Sequence, residues 1–405
     1  MPNVQQMLYL SDPQKLEFET SVVESWRMPD GRWAARLARS YFYPTGGGQE
    51  HDTGWVGARR VVEVVKQEDN GEIVHIFDQE PPVGSAIARI DGERRLRHMQ
   101  HHTAQHLLSQ VFIQLFELET LSANINGYTP STIDLPTAGL APEQLVEAEG
   151  LANQLIFEDH PVRAAFVTPD ELALLPLRKA PKVSENIRIV EIEGLDFSPC
   201  GGTHCQSTGQ IGVLKILKTE KVNERTRVHF AAGWQALEVF RQAYQAVSSL
   251  AGEMSIHHQD LQAAVERQGE QLRQAQKELG ELRQERLAWE AQRLLQDAET
   301  IGGRQVVLAV FDLRPAQELR WLADSLRRQP RAAAVLASHD GEKLLLAAAC
   351  GAESGLSARE LLSELLTPLN GRGGGDSSLA QGGGSASVER VQELMDQARE
   401  LLGRS

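Results

Sequence analysis

Residues 236 to about 298 contain no proline and few aromatic residues, and they are rich in Gln, Glu, Arg, Leu and Ala. A run of this kind reads as a long helix. Such a helix in mid-chain does not fit inside one ordinary core, so it divides the N-terminal half of the chain from a separate C-terminal part. Apolar Leu261, Val265, Leu272, Ala275, Leu279 and Leu282 fit a heptad seam, with polar Gln268 and Arg286 at two further seam positions. The stretch is therefore expected to be a spacer, a coiled-coil hairpin or a surface that pairs chains. At 405 residues the whole chain calls for several domains of about 100 to 200 residues each.

The class of those domains follows from composition. Hydrophobic residues make up 41% and charged residues 24%, the balance of a soluble globular protein rather than a disordered or membrane one. The start, MPNVQQMLYLSDPQK, lacks a basic segment followed by an apolar run, and no stretch approaches a membrane span, so a cytoplasmic protein is expected. Three cysteines do not make a disulfide framework, which leaves the close pair Cys200 and Cys205 for metal or reactive chemistry. A net charge of -14 opposes nonspecific binding to nucleic acid. Two local basic patches run against that total: Arg94, Arg95, Arg97 and His98, and Lys215, Lys218, Lys221, Arg225 and Arg227.

The patterning predicts an α+β protein in four parts. Residues 1–92 carry short alternating bursts (LEFETSVVESW, RWAARLARSYFY, RRVVEVVKQ, EIVHIF) punctuated by turn signals, which reads as a small antiparallel β-barrel. Within it YPTGGGQEHDTGW is either a long turn or a loop that lets a ligand approach the backbone. Residues 93–235 mix the helix LRHMQHHTAQHLLSQVFIQLF, the helix APEQLVEAEGLANQLIFE and the strands STIDLP, HPVRAAFV, IRIVEIE and GVLKILK. The helical spacer occupies 236–300, and residues 301–405 alternate buried strands with helices as an α/β domain. In the last part GRGGGDSSLAQGGG is expected to be a loop presenting backbone N–H groups to a ligand.

His102 and His106, four apart on a predicted helix, share one face and can share a metal ion. Cys200 and His204 bracket a glycine turn after the strand IRIVEIE, so that thiolate and imidazole converge, and this sulfur and nitrogen set suits zinc. Four protein donors close a tetrahedron, which reads as a structural staple. A loosely held donor would instead leave room for substrate or water, and the residues alone leave both readings open.

HTAQHLL (His102 to Leu108), CGGTH (Cys200 to His204), and YPTGGGQ (Tyr43 to Gln49) followed by HDTG resemble the editing domain of alanyl-tRNA synthetases, and resemble more closely the freestanding alanyl-tRNA editing proteins of the AlaX group. ERTRVHFAAG is similar to the strand that closes that domain, and the long helix with its glycine-rich sequel is similar to the family's C-terminal, DHH-associated domain. Because the barrel begins near residue 1, editing in trans is expected.

The resemblance implies a zinc-dependent hydrolase that cleaves the ester of mischarged Ser-tRNA, and also Gly-tRNA, for alanine. His102, His106, Cys200 and His204 would bind zinc. Gly46, Gly47, Gly48 and Gln49 would approach the aminoacyl-adenosine end, and Thr203 or Gln105 would read the serine hydroxyl. Asp196 occupies the family's acidic position before CGGTH, either in catalysis or as partner to a histidine. The implied partner is alanine-specific tRNA, with pairing of two chains through the C-terminal region. The alternatives are a nonenzymatic, zinc-stapled tRNA-binding protein and an editing protein of the threonyl-tRNA type.

Overall fold

A computed structural model describes residues 7–67, 71–181 and 186–403. Its contacts divide the chain into two compact units, Met1–His258 and Gln259–Ser405.

The first unit opens with strands β1 (Glu17–Arg27), β2 (Trp33–Leu37), β3 (Gly54–Val56), β4 (Arg59–Lys66), β5 (Ile73–Phe77) and β6 (Ser85–Ile90). They close into an antiparallel barrel in the order β1-β2-β5-β4-β3-β6. Alternation along each strand sends Phe18, Leu37, Val61, Val64, Ile73, Phe77 and Ile90 inward, so one face of every strand fills the interior.

The chain leaves the barrel through α1 (Gly92–Phe116), whose N-cap Asp91 accepts a hydrogen bond from Arg94 N at 3.1 Å. Arg95 fastens this helix to the barrel. Its guanidinium meets Asp52 with both side chains buried, and Nη2 donates to Tyr41 O at 2.7 Å.

Next come β7 (Ser122–Asn124), β8 (Ser131–Leu135), α2 (Pro142–Phe157), β9 (Val162–Val167), the single turn α3 (Pro169–Leu172), β10 (Ile187–Ile192), β11 (Asp196–Pro199), β12 (Leu214–Val222), β13 (Arg225–Ala232) and α4 (Gly233–Glu253). They make two antiparallel sheets, β12-β13-β8-β7 and β11-β10-β9. Leu107, Leu108, Val111 and Phe112 of α1 pack with Ile133, Ile156, Leu214 and Phe230 in one core. Another face of α1 carries His102 and His106 toward β11 and the turn beyond it.

The second unit begins with α5 (Leu261–Gln296). It continues through β14 (Glu299–Ile301), β15 (Arg304–Asp312), α6 (Ala316–Leu326), β16 (Ala332–His339), β17 (Lys343–Cys350), α7 (Ala358–Leu366), β18 (Arg372–Gly375), β19 (Leu379–Ser385) and α8 (Val388–Gly403). The sheet order is β14-β15-β16-β17-β19-β18, with β15 and β16 parallel through the α6 crossover. Ala334 and Leu336 of β16 face α6 and the end of α5, whereas Ala333, Val335 and Ala337 face α7 and α8.

Two expectations are sharpened here. The helical stretch is two helices: α4 ends at Glu253 and α5 starts at Leu261, with Ser255 between them in the left-handed region at φ 55°. The proposed seam of α5 is open to solvent at Val265, Leu272, Leu279 and Leu282, while Leu287 and Ala291 near its end are buried.

The glycine-rich stretch is also not a ligand-presenting loop. It is the hairpin β18–β19, paired Arg372↔Gly383 to Gly375↔Ala380. A Cβ on Gly382 would lie 2.6 Å from Leu366 Cδ1, so glycine lets α7 pack close to the hairpin. Asp376 builds its turn, accepting from Ser378 N at 2.7 Å and Leu379 N at 2.9 Å. The hydrogen bonds from Ser378 and Leu379 hold the Asp376 carboxyl at about 2.

Candidate metal centre

The helical repeat of α1 stacks His102 and His106 on one face, with ring centroids 5.3 Å apart. Opposite them, β10 and β11 run antiparallel from Ile189↔Pro199 to Ile192↔Asp196 and deliver the chain into the turn at Cys200. Glycine is required in that turn, because a Cβ on Gly202 would overlap the His102 imidazole. Arg188 of β10 holds the turn in shape, donating from Nη1 to Cys200 O at 2.8 Å and to Gly202 O at 3.0 Å.

The four donor atoms of His102, His106, Cys200 and His204 lie within 4.8 Å of one another. Cys200 Sγ is 3.3 Å from both His102 Nε2 and His204 Nε2. Hydrogen bonds on the far side of each ring fix which nitrogen faces the centre. Thr203 N can only donate, so the Gln49 atom 3.2 Å from it is the carbonyl oxygen, and His102 Nδ1–H donates to that oxygen at 2.8 Å. His106 Nδ1–H donates to Asp196 Oδ2 at 3.2 Å. Thr103 Oγ1, which accepts from Cys205 N at 3.0 Å, lies 3.2 Å from His204 Nδ1. His102 and His106 therefore turn an Nε2 lone pair toward the centre, the tautomer a metal ion needs, and His204 points its Nε2 at the thiol.

Electrostatics agree with that donor set. Burial alone would raise the Cys200 thiol, but the charges of His102 and His204 and the hydrogen bonds of His102 and His106 outweigh it and hold the group well below its usual range. Burial pushes His204 down to about 3, favouring the neutral ring that ligates. At His106 burial also lowers, yet the hydrogen bond to Asp196 prevails and the value is raised. Burial would raise the Asp196 carboxyl, but His106 and Arg178, whose Nε reaches Asp196 Oδ1 at 2.8 Å, bring it below the ordinary carboxylate value. One thiolate and three oriented imidazole nitrogens in a buried cluster fit a zinc ion by the chemistry of the donors.

The other expected residues fall around this cluster in different roles. The Gln49 amide is engaged on both sides, Oε1 by His102 and Thr203 N and Nε2 by Thr203 Oγ1 at 2.9 Å, so it braces the ligands instead of facing open space. Thr203 is fully buried. Gln105 turns along α1 to Ser109 Oγ at 2.8 Å, away from the centre. Gly46, Gly47 and Gly48 form a tight turn closed by Gly46 N to Gln49 O at 3.0 Å, and Gly48 abuts β7 so closely that a Cβ would lie 2.7 Å from Ala123 O.

Cys205 is buried and burial pushes its thiol up to about 12, which marks a packed thiol and not a ligand. Arg178, Arg188 and Thr103 were not anticipated. Nothing local in the sequence distinguishes an arginine that caps a metal loop from one on a strand face.

The basic patch on α1 is largely neutralised: Arg94 pairs with Glu50, Arg95 with Asp52, and Arg97 with Glu93 and Glu238. In the second patch Lys215 pairs with Glu149 and Arg227 with Asp134. Lys218, Lys221 and Arg225 are exposed along the β12–β13 hairpin.

Comparison with known proteins places this geometry in a family. Residues 187–227, which include the Cys200 turn, match the threonyl and alanyl tRNA synthetase second additional domain, and residues 303–404 match the DHHA1 domain. The alanine-tRNA ligases of Methanopyrus kandleri and Archaeoglobus fulgidus are 29% and 31% identical over 96% and 97% of this chain, which spans 44% and 43% of their own lengths. A solved C-Ala domain of the Aquifex aeolicus alanyl-tRNA synthetase aligns at 31% identity over 26% of this chain and 98% of its own, with a TM-score of 0.25. The alanyl-tRNA editing protein AlaX-L of Pyrococcus horikoshii is 31% identical over 98% of both chains. With this relative matched along almost its whole length, the chain belongs to the alanyl-tRNA editing protein family of the AlaX group.

Proposed function

We propose that this protein is a zinc-dependent aminoacyl-tRNA deacylase that hydrolyses the ester of Ser-tRNA for alanine, and of Gly-tRNA for alanine. The observation that carries the reading is the Cys200, His102, His106 and His204 cluster, with every Nε2 turned inward, in a chain of this family. The chemical need is plain. A pocket shaped for alanine cannot exclude glycine by size and only weakly rejects a small hydroxylated analogue, so a second site must remove the errors.

In this reading residues 93–235 are the editing domain. Zinc, when bound, supplies the positive charge that orients the ester, amine or attacking water. Gln49 and Asp196 keep His102 and His106 in the ligating tautomer, Thr103 holds the His204 ring, and Arg188 and Gly202 keep the Cys200 turn against them. Lys218, Lys221 and Arg225 are the cations left to meet tRNA phosphate. Residues 301–405 would help dock the tRNA, and the open apolar face of α5 would pair chains.

The four-donor set favours one other reading, a zinc-stapled tRNA-binding protein without turnover. Purified protein incubated with excess Ser-tRNA for alanine separates them: the deacylase releases many serines per protein, and a binder protects the ester.

A further inference from the structure

One buried polar side chain of α1 takes no part in the chemistry above. His98 lies one turn before His102, about 6 Å along the helix axis and on the same face. It is fully buried, and neither ring nitrogen has a hydrogen-bond partner among the described residues. The neighbouring His101 is satisfied on both sides, by Ser131 Oγ at 2.7 Å and by Ala232 N at 3.3 Å. Leaving a buried donor and a buried acceptor unpaired is destabilising, so both nitrogens of His98 call for a partner, a water or a ligand.

The loop that follows β7 packs on His98: Gly127 approaches α1 so closely that a Cβ would lie 3.2 Å from His98 N. The next residue, Tyr128, sets its ring edge-on to His98 with centroids 6.4 Å apart. Tyr128 is 48% exposed, and the guanidinium groups of Arg94 and Arg97 lie 5.6 and 5.1 Å from its centroid. Burial first, then the charge of Arg94, pushes His98 down to about 3, so the ring is neutral and offers one donor and one acceptor.

Outward from the metal centre the order is thus His102, His98, Tyr128. Resting on the deacylase reading, we infer that His98 and Tyr128 form the seat of the terminal adenine of the charged tRNA, His98 hydrogen-bonding the base edge and Tyr128 stacking on its face. Adenine carries both an amino donor and ring-nitrogen acceptors, so either nitrogen of a neutral imidazole finds a partner on it. Aromatic side chains are the usual platforms for unstacked bases. With the ester at the metal centre, the ribose spans the helical turn between His102 and His98.

The test uses the zinc-loaded full chain and two inhibitors: a nonhydrolysable 3′-seryl amide of adenosine, and the same amide on a ribose without a base. His98→Phe is expected to raise the KM for Ser-tRNA and weaken the adenosine inhibitor by about tenfold. Binding of the baseless inhibitor, zinc content and kcat stay near wild type, and the melting temperature rises as the unpaired nitrogens disappear. Tyr128→Ala, at an exposed position, is expected to lose the same discrimination between inhibitors. Unchanged constants in both variants, or equal losses on both inhibitors, would overturn the assignment. Absence of turnover by the wild type would instead refute the deacylase, and differential binding of the two inhibitors would still read out the seat.

Discussion

Each of the three imidazoles at the candidate metal centre is held by a different kind of group: an amide oxygen at His102, a carboxylate at His106 and a hydroxyl at His204. The amide is the most informative, because Gln49 comes from the barrel and joins it to α1 and the Cys200 turn at once. Replacing Gln49 by Ala removes the group that fixes the His102 tautomer, and zinc affinity is expected to fall about 10–100-fold. Competition against a chelator measures it. Unaltered zinc affinity with a raised KM would mean that Gln49 acts on substrate directly. The clustering of His102, His106, Cys200 and His204 was legible in the sequence because HTAQH and CGGTH are local spacings. The bracing by Gln49, Thr103, Arg178 and Arg188 was not, because each acts across segments that only the fold brings together.

At the scale of elements, α1 concentrates buried histidines. His98 and His101 lie on it, and His75 sits in the barrel against Ser40. Burial pushes His75 and His98 to about 3 and His101 to about 4. These folded values lie below the unfolded value of about 6.5, so on acidification the unfolded chain takes up protons first. Their contribution to stability is complete above about pH 6.5 and is lost as pH falls toward 4 and then 3. Metal-free protein is therefore expected to melt at a lower temperature at pH 5 than at pH 7.5. A flat or opposite trend in the first unit would show that these rings are not held neutral.

Element type was readable where periodicity was strong, as in α1, α2 and the strands of the barrel. It failed at GRGGGDSSLAQGGG. There glycine signals close packing of α7 on a β-hairpin, and flexibility and crowding leave the same residue in a sequence. The position of the break between α4 and α5 was not legible, because Ser255, the residue at positive φ, carries no strong compositional mark.

For the whole molecule, the division at His258 separates the metal centre from the C-terminal sheet. A net charge of -14 repels phosphate except at local features, and the second unit is proposed to help in docking tRNA. Ending the chain after His258 is expected to weaken use of full-length Ser-tRNA severalfold in KM while leaving hydrolysis of a seryl-adenosine ester near wild type. Equal loss on both substrates would refute the docking role.

Zinc-dependent deacylation is tested most sharply by release of labelled serine from Ser-tRNA for alanine, measured against bound zinc in wild type and in Cys200→Ala. Turnover is expected to disappear when zinc is stripped, to return in proportion to zinc restored, and to be absent together with the metal in Cys200→Ala. Full turnover by metal-free protein, or stoichiometric zinc with no turnover, would contradict it.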